Sequence, residues 1–547
     1  MTRETCDVLV VGGGMAGLTA AAYLSRGGYK VILTEKNGVC GGLVNSFTRD
    51  GFLFDAGVRA LEDAGIILPM LKDLDIDLEF VRSPVTVGIE GEILHIESEE
   101  SVQDYRELLR KLYPRSGNDI DRIIRLIRRI MKNMDVLYGI ENPVFKDLKH
   151  DREYLFRTLL PWLLKFLFTV RKINRMDYPI EPFLEKITAD ASLRDIISQH
   201  FFKNTPTFFA MSYFSLYLDY LYPKGGTGAL PGALEKKIAE FGGRIDTGTE
   251  IREVIPREST AKDVHGREYA YGTLIWAADL KTLFRITRTD GLPADTVRRI
   301  ECEGEKLLSR RGGDSVFTLF LTVDEAPESF RQIANGHFFY TPSKKGLGDL
   351  HRQRLREILG NWSRISKEEV LEWLDAFCRL NTYEISIPAL KDPSAAPPGK
   401  TGLIVSLLFE YDLMKKIEAS GWYEVFKGEI ETRMVEVLSG SVFPMLKDKV
   451  ISRFSYTPLS IERRIGSSEG AITGWSFEEP VPVVHRIQHG ARSVRTPIPG
   501  VLQAGQWAYS PAGVPMSILT GKLAADRIMK GKNRASAPIS ARRSPSS

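Results

Sequence analysis

The stretch Val10-Val11-Gly12-Gly13-Gly14-Met15-Ala16-Gly17 constrains this chain more than any other. An apolar run, Asp7 to Val11, precedes the glycines, and an Ala-rich run, Leu18 to Arg26, follows them. The pattern predicts a buried strand, a glycine turn and a helix. Gly12, Gly14 and Gly17 take the three positions of a GxGxxG turn. In such a turn the first glycine permits the tight bend, the second lets a pyrophosphate reach the backbone, and the third lets helix and strand pack closely. The helix N-terminus then faces the phosphate charge. A second apolar strand, Tyr29 to Thr34, leads into Glu35, eighteen residues beyond Gly17. A carboxylate there accepts hydrogen bonds from both ribose hydroxyls and repels a 2′-phosphate, which disfavours NADP. These features make a βαβ unit of the first 35 residues.

At 547 residues the chain has room for two large or three ordinary domains. Hydrophobic residues at 43% and charged residues at 26% exclude a disordered or coiled-coil chain. The net charge of +4 gives no sign of nucleic acid as a partner. Cys6, Cys40, Cys302 and Cys378 form no CxxC pair, which argues against a zinc or dithiol site and fits a reducing compartment. Of eight histidines only His485 and His489 are close in sequence, and no metal site is expected. No signal peptide is visible, and no apolar stretch reaches the roughly 18 residues that a spanning helix needs. The expected location is cytoplasmic.

Helices are expected over Ser101–Leu112 and Asp119–Tyr138, then throughout the Leu-, Phe- and Tyr-rich stretch Tyr154 to Tyr222. A helix follows the glycine-rich Lys224 to Gly232, at Ala233–Phe241. Strand signals appear at Arg244–Ile255, Thr273–Ala277, Ser315–Val323, Ile385–Pro388, Gly402–Phe409 and Gly500–Gly505. The last helices are expected at Trp422–Leu438 and Ser517–Met529, before a basic, disordered tail. Lys165, Arg171 and Lys172 border the apolar stretch 154–173, which reads either as a membrane-surface anchor or as a substrate-domain core.

Further motifs continue the dinucleotide site. Glu35-Lys36-Asn37-Gly38-Val39-Cys40-Gly41-Gly42 leads to Gly51-Phe52-Leu53-Phe54-Asp55-Ala56-Gly57. Near the far end stand Pro499-Gly500-Val501-Leu502-Gln503-Ala504-Gly505-Gln506 and Pro511-Ala512-Gly513-Val514-Pro515-Met516. Together these resemble the FAD flavoproteins with two dinucleotide-binding motifs, within the amine oxidase superfamily. With Tyr222-Pro223-Lys224-Gly225-Gly226, the stretch Asp392 to Lys400, and Gly470-Ala471-Ile472-Thr473-Gly474, the resemblance narrows to the phytoene desaturase, carotenoid isomerase and retinol saturase family. The match runs in order along nearly the whole chain.

That resemblance implies an α/β fold: a Rossmann-like FAD-binding domain with an inserted α+β substrate domain of antiparallel sheet and helices. The FAD domain would comprise residues 1–75, 222–300 and 456–530, the substrate domain a helical part 76–221 and a sheet part 301–455, with a tail at 531–547. It implies FAD as cofactor, with Gly12, Gly13, Gly14, Met15, Ala16 and Gly17 at the pyrophosphate and Glu35 and Lys36 at the adenosine ribose. Gly42 and Leu43 would pass near the phosphates, and the Ile251 backbone would face adenine. Gly505, Gln506, Val514 and Met516 would line the flavin end. The implied substrate is a long apolar polyene of carotenoid or retinoid type, desaturated, saturated or isomerised at the flavin. Catalytic residue, electron partner and oligomeric state are left open.

Leu43 stands where desaturases and amine oxidases carry Arg, which leans toward the isomerase and saturase branch. Val514 stands where many relatives carry Gly. Two other readings stay open: a flavin amine oxidase, and a flavin-free prenyl- or lipid-binding protein.

Overall fold

The structure is a computed structural model that describes residues 3–535. Its first sheet grows around the opening strand Arg3–Val11, where Val8 to Val11 are all buried. Burial on both faces is what makes a parallel strand read as an unbroken apolar run. The strand pairs in parallel with Val31–Thr34 on one side and Glu268–Trp276 on the other. Arg244–Asp246 extends the first side, and Val501–Gln503 lies parallel to Glu268–Trp276. Thr260–Asp263 and Ile251–Ile255 complete seven strands as antiparallel additions. One sheet therefore draws on the beginning, middle and end of the chain. The expected strand over 244–255 divides in two at Gly248, whose φ of +64° turns the chain.

The second sheet runs, in spatial order, through Val450–Tyr456, Ser315–Val323, Thr401–Phe409, Tyr383–Ser386, His337–Thr341, Val85–Ile89 and Glu92–Ile96. All its pairings are antiparallel except that between His337–Thr341 and Val85–Ile89. Side chains alternate across it. Phe317, Leu319, Leu321, Leu403, Val405, Ile385 and Phe338 share a core with helices Lys367–Leu380 and Tyr423–Ser439. The opposite face carries Thr318, Ser406, Glu384, Ser386, His337 and Phe339, with polar contacts to residues of the first part of the chain.

Three expectations are corrected. Residues 154–222 are not continuously helical. Short helices Leu160–Asn174, Ile180–Glu185, Ala191–Ser198, Thr207–Ala210 and Tyr213–Asp219 alternate with turns, and Pro179 and Pro206 cap two of them. Tyr220–Pro223 is then a strand that pairs with Leu61–Glu62 and Phe80–Arg82. Aromatic residues ahead of a proline favour extended backbone. The segment 76–221 also supplies two strands to the second sheet, so it is not purely helical. At the other end, the last helix runs from Val514 to Ala535, past the expected stop at Met529. It takes in 531–535; the rest of the expected tail, 536–547, lies outside the described residues.

The ribbon of Ser46–Arg49 and Phe52–Asp55 is tied to the strand Tyr220–Pro223 and the glycine turn after it at Asp55, which is fully buried. Its carboxylate accepts from Ser46 Oγ at 2.7 Å, Tyr222 OH at 3.0 Å, and Thr227 N and Oγ1 at 2.9 and 3.0 Å. Gly226-Thr227-Gly228 is thus a structural clasp around a buried charge. Asp55→Ala leaves three buried donors, on Tyr222 and Thr227, and the half-buried Ser46 hydroxyl without this acceptor, and is expected to lower stability by about 3 kcal/mol or more, read as a fall in urea midpoint at unchanged slope.

Candidate functional site

The glycine turn leaves the opening strand and enters helix Met15–Arg26. Gly12 has φ of +105°, and a Cβ on it would sit 2.8 Å from the Ala277 carbonyl oxygen. A Cβ on Gly17 would collide with the Gly12 carbonyl. Gly14 differs: a Cβ on it would meet nothing within 4 Å. The two outer glycines are required by the fold, and the middle one opens onto free space. No side chain caps the helix at Gly14. Its terminal N–H groups and dipole are therefore available to a phosphate. Met15 and Ala16 are buried behind this turn.

Glu35 is buried where Val31–Thr34 ends. It accepts from Gly13 N at 2.7 Å and from Asn37 N and Nδ2 at 2.8 and 2.9 Å. A carboxylate offers roughly four acceptor positions, so one remains for a ribose hydroxyl. Lys36 turns away and donates to the Arg463 carbonyl at 3.3 Å. Thr249 N reaches the Glu35 carbonyl at 2.8 Å, which brings the start of strand Ile251–Ile255, and hence Ile251, to this end of the cradle. Gly41 bridges to Gly14, and Gly42, with φ of +60°, would place a Cβ 3.5 Å from the Gly14 Cα. Leu43 follows directly, and its carbonyl accepts from Val58 N at 2.9 Å. Cys40 is buried behind Gly13, and burial pushes its thiol well up, which makes it a packing residue.

The C-terminal motif closes on the same helix. Gly505 has φ of +95°, and a Cβ on it would lie 3.4 Å from the Ala16 Cβ. Gly521 packs against the Ala16 carbonyl with no room for a side chain. Gln506 lies beside Gly474, where a Cβ would strike the Gln506 carbonyl. Val514 begins the last helix and Met516, within its first turn, is partly exposed. Trp507 instead stacks edge-on against Trp475 in the core, and Tyr509 is buried with its hydroxyl 3.4 Å from the His485 carbonyl. His485 and His489 line a surface groove, and among the described residues no three potential ligands converge as a metal site.

A charged group absent from the sequence reading lies beyond this cradle, on the polar face of the second sheet. The chain continues from Asp55 through Gly57 to Arg59, whose side chain is only 4% exposed. Arg59 Nη1 meets Glu384 Oε2 at 2.7 Å, and Nη2 reaches Thr318 Oγ1 at 3.3 Å and Ser406 Oγ. Lys391 is buried, donates to the Arg59 carbonyl and Ser386 Oγ, and lies 4.0 Å above the Tyr222 ring. Burial pulls the Lys391 ammonium down to about 8. Burial alone would raise the Glu384 carboxyl, but Arg59 and His337 hold it at about 2. The motif 51–57 stopped two residues short of Arg59, and the proline-rich stretch began one residue after Lys391. His337 and Glu384 carry no local signal, because only strand pairing brings them to Arg59.

Glu62 stands opposite Tyr220 in the small strand pair, and desolvation, then Asp219 and Asp63, raise it to about 8. It and Glu384 are partly accessible, yet desolvation is the largest influence on both. Tyr220, opposite Glu62, and Phe339, opposite Glu384, are also partly accessible.

A largely parallel nucleotide sheet threaded by three chain segments, with a second sheet presenting a polar face to the segment that carries Arg59, defines an FAD-binding fold with an inserted substrate sheet. The chain belongs to the family of flavin-containing amine oxidoreductases, whose model matches residues 15–529. It is an FAD-dependent oxidoreductase of that family. Among its relatives, it is 22% identical over 540 residues to the human (Homo sapiens) all-trans-retinol 13,14-reductase, across 92% of this chain and 82% of the relative. It is 23% identical to the chloroplastic prolycopene isomerase 1 of an Oncidium hybrid cultivar, across 96% of this chain and 84% of the relative. The solved structure of cyclohexylamine oxidase from Brevibacterium oxydans shares the fold, with a TM-score of 0.58 at 12% identity, over 97% of this chain and all of that one.

A carboxyl raised from its ordinary value of 4.5 to about 8 on folding binds its proton more tightly in the native state. Stability then falls as pH rises from about 4.5 to about 8. Glu62→Gln removes that dependence: the melting temperature should rise above wild type at pH 8 and match it at pH 4.5, by differential scanning fluorimetry.

Proposed function

We propose that this protein acts on a long apolar polyene of carotenoid or retinoid type, by desaturation, saturation or cis–trans isomerisation. The supporting observation is the relatives' agreement: proteins named for retinol reduction and for prolycopene isomerisation match across more than nine-tenths of this chain. Residues 1–75, 222–300 and 456–530, which between them supply the seven strands of the first sheet, form the FAD-binding part. Gly12, Gly13, Gly14, Met15, Ala16 and Gly17 hold the pyrophosphate, Glu35 flanks the adenosine ribose with the Lys36 side chain turned away from it, and Ile251 flanks the adenine. Gly42 and Leu43 pass the phosphates, and Gly505, Gln506, Val514 and Met516 border the flavin. Bound FAD supplies the hydride or electron chemistry. The chain's own residues align the polyene along the Tyr220 and Phe339 wall and exclude water.

The open space at Gly14 gives the direct test of this cradle. Gly14 has φ of −74°, so alanine fits its backbone, and the added methyl enters the space the pyrophosphate would use. Gly14→Ala is expected to keep wild-type circular dichroism while retaining FAD at least about tenfold less well on gel filtration. Unchanged FAD retention would remove the cradle assignment.

Contact with a membrane surface completes this reading. Among the described residues no helix is long and apolar enough to cross a membrane. Yet Phe156, Leu160, Leu163, Leu164, Leu167 and Phe168 are all exposed, at 41–65%, along one face of the π-helical turn Tyr154–Leu159 and helix Leu160–Asn174. Lys165, Arg171 and Lys172 stand among and after them, with no acidic residue in the helix. An apolar ridge with basic margins suits the interface of an anionic bilayer, where an apolar substrate resides. The protein should sediment with phosphatidylserine-containing vesicles, and the double variant Leu164→Glu, Phe168→Glu should partition about tenfold more weakly; wild type left in the supernatant would overturn the contact.

A further inference from the structure

The polar face of the second sheet holds buried groups whose hydrogen bonds do not close. His337 is 2% exposed, and neither ring nitrogen has a hydrogen-bond partner. Its Nε2 lies 3.2 Å from Glu384 Oε1, within ion-pair distance but off the line of a hydrogen bond. Arg59 Nε is likewise buried and unpaired. A buried polar atom left unpaired costs about 1–3 kcal/mol. A fold that keeps three such atoms together, beside an accessible carboxylate, is built to receive a partner. The approach is aromatic: the Tyr220 ring is 5.2 Å from His337, the Phe339 ring 5.1 Å, and Tyr217 stacks on Phe339 at 4.9 Å. An apolar guest following that wall ends at His337 and Glu384.

The charges narrow what the guest carries there. Arg59 is paired with Glu384, and Lys391 lies over the ring of Tyr222, whose hydroxyl donates to Asp55. Two cations and two carboxylates leave no excess charge for an ionic guest. A guest carboxylate would face the Glu384 carboxylate directly, and a hydrocarbon end would leave the buried nitrogens of His337 and Arg59 without a hydrogen-bond partner. A hydroxyl satisfies both groups: its O–H donates to Glu384, and its oxygen accepts from the His337 N–H.

We propose that His337 and Glu384 form a binding site for an alcohol group on the polyene, so that the substrate is an oxygenated apolar molecule whose hydroxyl end sits against the second sheet. This rests on the polyene reading above and adds the end group and its orientation.

The test is equilibrium binding to the FAD-loaded, oxidised protein of three polyenes of equal length ending in methyl, hydroxymethyl and carboxylate, followed by quenching of tryptophan fluorescence. Wild type should bind the alcohol about tenfold or more tighter than the other two. His337→Phe keeps ring volume and removes both nitrogens; it should bind the methyl-ended polyene as wild type does and lose the preference for the alcohol. Glu384→Gln should weaken the alcohol and strengthen the acid, a reversal that mere loosening of the fold would not give. Retained flavin absorbance and melting temperature certify each variant. Equal binding of all three ends by wild type, or an undiminished alcohol preference in both variants, overturns the site while the polyene reading stands. Failure to bind any of the three overturns both.

Discussion

Everything in this molecule depends on how closely backbone meets backbone at the start of the first helix. Gly17 touches the Gly12 carbonyl, Gly12 lies against Ala277, and Gly521 lies against the Ala16 carbonyl. Those contacts join the first strand to the one ending at Trp276 and to the last helix, so three distant segments share one point. The same crowding leaves Gly14 facing open space, with a helix terminus that no side chain caps. A site for a phosphate-bearing cofactor follows from the packing that holds the sheet together. Removing any outer glycine would disturb fold and site at once; only the middle one separates them.

The second sheet divides its labour by face. The side covered by helices is aliphatic and aromatic throughout, and it supplies the hydrophobic stabilisation of that half. The side turned toward the first part of the chain spends that advantage on Thr318, Ser406, Glu384, Ser386 and His337. Burying such groups is unfavourable unless they are paired. Arg59 and Lys391 pair most of them, and Asp55, four residues before Arg59, anchors the segment that carries it. The remaining unpaired nitrogens of His337 are the part of this arrangement that the fold alone does not explain.

Much of this was legible in the chain. The glycine turn, Glu35 and the C-terminal glycines carry their chemistry in local spacing, and the strands Ser315–Val323 and Thr401–Phe409 announce themselves as apolar runs. The helical reading of Tyr154 to Tyr222 failed at Tyr220, because aromatic density does not distinguish a buried helix from a strand and its pairing with Leu61–Glu62 is long-range. The charged cluster was not legible for the same reason. Glu384 and His337 meet only through strand register, and Arg59 reaches them across 325 residues of sequence. The exposed ridge from Phe156 to Phe168 was visible as composition, but only the structure separates the outward residues from Thr169, Val170 and Ile173, which face the core.

The most direct test is anaerobic incubation of the FAD-loaded protein with a retinoid and with a linear carotene. Both the oxidised and the dithionite-reduced forms are used, with products separated by chromatography and the flavin spectrum recorded alongside. The account predicts a desaturated, saturated or isomerised polyene in at least one flavin state. Polyenes recovered unchanged in both states, with the oxidised flavin bleached instead by a primary amine, would contradict it.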